Sequence, residues 1–175
     1  MANAIVLYAS KYGSTEQYAR WIAEKLNCPA VNIKKLTDDL FENVDTVVFG
    51  GGIYAGKIKG AAQFVKHFDQ WYRKRVAVFT VGMTGLEEAE YFQSVLDGNF
   101  SVQQQADVCF FHFRGRIDYK QLSFMHRMMM GMLKKMLLGK QEKTESDRQI
   151  LATYGKKLDG VKCDAVQPLV EYCTP

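Results

Sequence analysis

A chain of 175 residues has the length of one domain, and its 47% hydrophobic and 24% charged content excludes a disordered, fibrous or membrane-spanning class. The net charge of +4 and pI near 8.8 favour anionic partners or cofactors without setting the fold. The lysines are scattered and accompany no helix-turn-helix, zinc-finger or RNA-recognition pattern, so nucleic acid is not expected as a partner. The four cysteines, Cys28, Cys109, Cys163 and Cys173, show no C-x-x-C spacing. Residues 1–10 lack the basic start and the length of a secretory leader. Reduced, structural thiols in the cytoplasm are the expectation.

Residues 4–9 (AIVLYA) are a continuous apolar run of the kind that forms a strand buried on both faces. The turn Ser10-Lys11-Tyr12-Gly13-Ser14-Thr15 leads at once into a helical pattern over 15–26. Helix starts leave backbone N–H groups unpaired and carry partial positive charge. Ser10, Ser14 and Thr15 add hydroxyl donors, and Gly13 allows a tight turn, so the segment can cradle a phosphate. Ser14 with Gln17 also reads as a capping box, and the same turn can serve only to cap its helix. Neither a P-loop nor a G-x-G-x-x-G fingerprint follows this strand. A hydroxyl-lined turn with one glycine suits a terminal monophosphate better than a pyrophosphate.

Residues 30–33 are a weaker strand suited to a sheet edge, and 46–50 (TVVFG) are the third strand. The third runs into Gly50-Gly51-Gly52-Ile53-Tyr54-Ala55-Gly56. So many glycines at a strand's carboxyl end suit the close approach of something flat, with Tyr54 as a stacking face; a plain turn with Tyr54 as packing is the alternative. A helix over 61–72 and a strand over 76–81 (VAVFTV) follow. The next helix covers 87–97, where Glu87, Glu88 and Glu90 put negative charge at its start. A fifth strand covers 108–113 (VCFFHF) and a last helix 146–158; 161–175 remain as a C-terminal tail to a domain over 1–160. This alternation implies a parallel sheet covered on both faces. In such open sheets the ligand crevice lies at the switch point of strand order, where the turns after strands one and three meet.

Residues 114–145 interrupt the alternation and contain a further helix over 122–138. Six of the eight methionines lie between Met125 and Met136. Leu122, Met125, Met128, Met129, Met132, Leu133 and Met136 share one broad face, with Arg127 and Lys134 opposite. The run is charged too often to span a bilayer. Three roles fit it: packing on the core, an adaptable docking surface for a partner or second copy, and interfacial contact with membrane headgroups. His67, His112 and His126 have no metal-ligand spacing and read as core or surface residues.

The turn at 10–15 resembles the phosphate loop of flavodoxins. The glycine-rich segment at 50–56, with Ala61-Ala62-Gln63-Phe64-Val65-Lys66, is similar to the flavodoxin-domain family that includes the bacterial quinone-linked protoporphyrinogen oxidase. So are Gly115-Arg116-Ile117-Asp118-Tyr119-Lys120-Gln121-Leu122-Ser123-Phe124 and the Met- and Lys-rich helix after them. The resemblance covers most of 4–158. It implies a flavodoxin-like three-layer α/β sandwich, with a five-stranded parallel sheet of order 2-1-3-4-5 and a helical insertion after strand five. It also implies FMN, with Ser10, Tyr12, Gly13, Ser14 and Thr15 at the phosphate and Lys11 in the same turn. Gly52, Ile53, Tyr54 and Ala55 would line one side of the ring, Gly82, Met83, Thr84 and Gly85 another edge, and Gly115 and Arg116 would also touch it. The chain departs from the family at 82–91 (GMTGLEEAEY), which lacks the oxidase's basic, proline-containing segment. That departure bears on the substrate and not on the flavin.

Three functions follow. One is an FMN redox protein that carries electrons to a redox partner protein and needs no catalytic side chain or metal. Another is a quinone-dependent, protoporphyrinogen oxidase-like enzyme that takes a quinone or porphyrin at its insertion. The third is a flavin-free interaction module of the same fold; the acidic cluster of a response regulator is missing from both loops. The cytoplasm is the expected location, with peripheral contact at the membrane's inner face as an alternative.

Overall fold

Both faces of strand β1 (Ala4–Ala9) are covered, which is why all six of its residues are apolar and buried. A computed structural model describes residues 3–83 and 89–174. β2 (Ala30–Asn32) pairs with one side of β1 and β3 (Thr46–Tyr54) with the other, so that Leu7 lies between Val31 and Phe49. β3 ends in a hairpin with the two-residue β4 (Lys57–Ile58). β5 (Arg75–Gly82) and β6 (Val108–Arg114) complete the parallel sheet β2-β1-β3-β5-β6, which is the 2-1-3-4-5 order expected of a flavodoxin-like fold.

The pleat sends alternate side chains to opposite layers. Ile5 and Leu7 join Phe49, Phe64 and Trp71 on one face; Val6 joins Tyr18, Ile22 and Leu169 on the other. Each such fully buried aliphatic side chain stabilises the fold by about 1.5–3 kcal/mol relative to exposure. Helix α1 (Ser14–Leu26) covers the second face. The first face is covered by α2 (Ala61–Val65), α3 (Phe68–Trp71) and α4 (Ala89–Asp97), and α5 (Val102–Ala106) leads into β6. After β6 come β7 (Arg116–Ile117), α6 (Phe124–Gly139), α7 (Glu145–Thr153), β8 (Leu158–Asp159) and α8 (Gln167–Cys173). Among the described residues no helix is long and apolar enough to cross a membrane.

Four segments differ from the sequence expectation. The helix over 61–72 breaks after Val65, because Trp71 stacks on Phe64 at 4.6 Å and its indole N–H donates to the Phe64 carbonyl at 3.1 Å. The helix over 87–97 is described from Ala89 on, so Glu87 and Glu88 lie outside the described residues. The helix over 146–158 stops at Thr153; Gly155 then takes a φ of +81°, and β8 forms an antiparallel ribbon with β7. Residues 161–175, expected as a tail, hold a 3-10 turn at Cys163–Val166 and then α8. Leu169 and Cys173 of α8 are fully buried in the same layer as α1.

Candidate functional site

The chain leaves β1 and turns through Gly13, whose φ of +90° is open to glycine and costs other residues about 1–2 kcal/mol. The Gly13 N–H donates to the Ser10 hydroxyl at 3.0 Å and closes the turn. Gly13 is also the N-cap of α1, with no side-chain cap hydrogen bond, so the expected Ser14–Gln17 capping box does not form. Gln17 is the first residue to donate within the helix, to the Gly13 carbonyl at 2.9 Å. The N–H groups of Ser14, Thr15 and Glu16 therefore have no acceptor inside α1. The Ser14 hydroxyl accepts from the Arg116 N–H at 3.3 Å, which ties this turn to the chain beyond β6. Open amides at a positive helix end, beside two hydroxyls, are a donor set for an anion.

The β3–β4 hairpin turns through Ala55 and Gly56, both left-handed with φ of 49° and 74°, as a two-residue hairpin loop requires. A Cβ on Gly52 would lie 2.9 Å from the Tyr54 ring, so the glycine lets this ring fold back over the strand. Burial, with Tyr12 nearby, pushes the Tyr54 hydroxyl up to about 12, and the ring offers an uncharged face at neutral pH.

Beyond β6, the Gly115 N–H donates to the Gly82 carbonyl at 2.8 Å, and Arg116 pairs with Asp159 across the β7–β8 ribbon at 3.1 Å. The insertion rises from this ribbon. Lys134 lies 4.4 Å from the Tyr154 ring, and Lys140 binds the Asp147 carboxylate at 2.9 Å, so α6 and α7 pack as a hairpin. The apolar face expected on this helix is divided. Leu122, Met129 and Leu133 face the crevice, while Met125, Met128, Met132 and Met136 are more than half exposed.

These segments enclose one cavity of about 360 Å³. The turn after β1 contributes Ser10, Tyr12, Ser14 and Thr15, and the turn after β3 contributes Gly52, Ile53, Tyr54 and Ala55. The ends of β5 and β6 bring Gly82, Met83, Gly115 and Arg116. Gly13 shapes the turn without lining the cavity, and Lys11 is exposed at its edge. Thr84 and Gly85 lie outside the described residues.

Two histidines read as isolated in the sequence line the same cavity. His112 of β6 has Nδ1 2.8 Å from the Thr80 hydroxyl. His126 of α6 stacks on Tyr54, with centroids 5.0 Å apart, and its Nδ1 lies 2.7 Å from the Tyr12 hydroxyl. Met130, Ile150 and Lys157 also come into the lining. Long sequence separations hid all of these; His126 is 114 residues from Tyr12. Among the described residues no cluster of three or more His, Cys, Asp or Glu is gathered as a metal would need.

Comparison with known proteins adds the lineage. A curated relative, an uncharacterized protein of Methanocaldococcus jannaschii, is 36% identical over 87 residues. The match covers 49% of this chain and 58% of that protein, little more than half its length. The solved structure of a flavodoxin, WrbA-like protein from Agrobacterium tumefaciens superposes over 99% of this chain and all of its own, with 15% identity and a TM-score of 0.49. A flavodoxin from the domain Archaea superposes over 86% of this chain and 94% of its own, with 14% identity and a TM-score of 0.42. Residues 5–145 match the family model of the Flavodoxin domain, and the chain belongs to that family.

Proposed function

We propose that the crevice binds one FMN and that the chain moves electrons through it. The observation that carries this reading is the adjacency of two unlike surfaces in one cavity. The open amides and hydroxyls at the start of α1 suit a monophosphate, and Tyr54 beside the glycine-rich end of β3 suits a flat ring. When bound, the flavin supplies reversible one- and two-electron chemistry. The chain supplies binding, orientation and exclusion of water. Ser10, Ser14 and Thr15 would hold the phosphate oxygens. Tyr54 would cover the ring, and Gly82, Met83 and Gly115 would bring backbone close to its edge. Among the described residues, the Arg116 guanidinium is paired with Asp159, and Lys157 is a further lining cation that would favour an anion. The flavin-free protein, mixed with FMN, should turn yellow and quench flavin fluorescence, then release FMN and not FAD on denaturation. Protein that takes up no FMN overturns the reading and leaves the flavin-free module.

A second reading follows the cavity past the ring slot. Leu122, Met129, Met130, Leu133 and Ile150 give it an apolar lobe beneath α6 for which a carrier that meets only proteins has no use. Such a lobe suits a small apolar redox substrate, a quinone or a porphyrin, as in a protoporphyrinogen oxidase-like enzyme. Protoporphyrinogen oxidation with a quinone acceptor separates the two. Turnover supports the enzyme; no turnover, with rapid electron exchange to a reductase, supports the carrier.

A further inference from the structure

The first turn of α6 is tied to the crevice through Ser123 and the His126 imidazole. His126 Nδ1 meets the Tyr12 hydroxyl at 2.7 Å, and the Ser123 N–H donates to the same hydroxyl at 3.2 Å. Lys11 Nζ lies 3.4 Å from both His126 Nε2 and the Ser123 hydroxyl. The His126 ring stacks on Tyr54 with an interplanar angle of 23°. The turns after β1 and β3, which form the slot, are thus joined to the first turn of α6. The outer side of that turn is open, with Phe124 and Met125 82% and 65% exposed.

An ammonium only donates, so in the tautomer that lets Nε2 accept from Lys11 the ring proton sits on Nδ1, directed at the Tyr12 oxygen. A second proton would have to sit on Nε2, facing the Lys11 ammonium. The groups facing the ring are Lys11 and Tyr12 from the turn after β1, Tyr54 from β3 and Lys59 from the turn after β4. On α6 itself, Arg127 is turned back to the Leu122 carbonyl. Burial first, then Lys11 and Lys59, hold the imidazole below its ordinary 6.5.

We propose that His126 is a proton-operated latch that keeps α6 shut over the flavin crevice, so that the protein lets go of its flavin as the imidazole takes up a proton. The ligand in this inference rests on the FMN reading; the latch does not. A released imidazole titrates at its ordinary value and the latched one below it, so between the two the open form binds more protons. The latch is at full strength above about 6.5, weakens as pH falls through that value, and levels off below the latched pKa.

The test is the rate of flavin release at about pH 7.5 and about pH 5.5 from the wild type, His126→Phe and Lys11→Met. FMN's own phosphate titrates near pH 6, so riboflavin is run beside it. The wild type should release riboflavin at least about threefold faster in acid, because the released imidazole takes up a proton that the latched one resists. His126→Phe, or His126→Gln as a second non-titrating variant, should lose this dependence, and Lys11→Met should shrink it and raise the pH at which it levels off. An equal dependence in the wild type and His126→Phe, or none in the wild type, overturns the latch. If no flavin binds, the FMN reading falls, and amide exchange of residues 124–139 in the flavin-free protein decides the latch. Protection that drops in acid only when His126 is present supports it; protection that ignores His126 overturns it.

Discussion

Tyr18 is fully buried on α1, and its hydroxyl joins three parts of the fold. It donates to the Arg114 carbonyl at 2.7 Å, at the end of β6, and accepts from the Lys162 N–H at 3.1 Å, ahead of α8. Tyr18→Phe keeps the ring contacts with Phe113 at 4.9 Å and Trp21 at 5.7 Å, and removes only an oxygen. The loss is therefore two hydrogen bonds, with a carbonyl and an N–H left without their partner, which costs about 2 kcal/mol. With a urea slope of about 2 kcal/mol/M, the unfolding midpoint falls by about 1 M. The melting temperature falls by about 4–8 °C. Urea titration followed by circular dichroism and by tryptophan fluorescence measures this directly. A midpoint lowered by less than about 0.2 M at unchanged slope would refute the reasoning, because the two bonds would then add nothing beyond what water supplies.

Three further outcomes test other parts of the structure. Tyr54→Ala removes the stacking face and should weaken FMN binding by roughly 2- to 12-fold in a fluorescence titration, the span of a single aromatic contact; an unchanged affinity rejects the slot. Gly60 has a φ of +83°, and a Cβ there would lie 2.7 Å from that of Ala9. Gly60→Ala should therefore cost about 2 kcal/mol or more by thermal melting, and a neutral result would contradict the close approach. The Asp147 carboxyl is held below its ordinary 3.8 by Lys140 and by the Thr144 N–H. Its contribution is complete above that value and fades as pH falls below it, so residues 145–153 should lose exchange protection in acid, and Asp147→Asn should remove that dependence.

The central strands β1, β3 and β5 were legible because they are buried on both faces and read as apolar runs; the first agrees end to end with Ala4–Ala9, while the edge strand β2 gave only a weak signal. Most of the residues at the strand ends were legible too, because the switch point brings the first and third turns together whatever the rest of the chain does. Two-residue strands such as β7 and β8 have no period to read, so the ribbon that anchors the insertion went unseen. The break between α2 and α3 depends on an indole hydrogen bond that a helical pattern does not encode. In α8 the signal was present: Val166, Leu169, Val170 and Cys173 follow a helical spacing, but the segment was too short to stand out as a helix. His126 carried no local signal at all, since its partners lie on other strands' turns.

The crevice draws its walls from positions as distant as Ser10 and Lys157, on segments that meet only when the sheet, the ribbon and the insertion are all in place. An unfolded chain offers none of it. A ligand of this crevice therefore pulls on the folding equilibrium of the entire domain by mass action, adding about 2.7 kcal/mol when present at a hundred times its dissociation constant. Supply of that ligand would then set how long the polypeptide survives proteolysis, as well as how many copies are loaded.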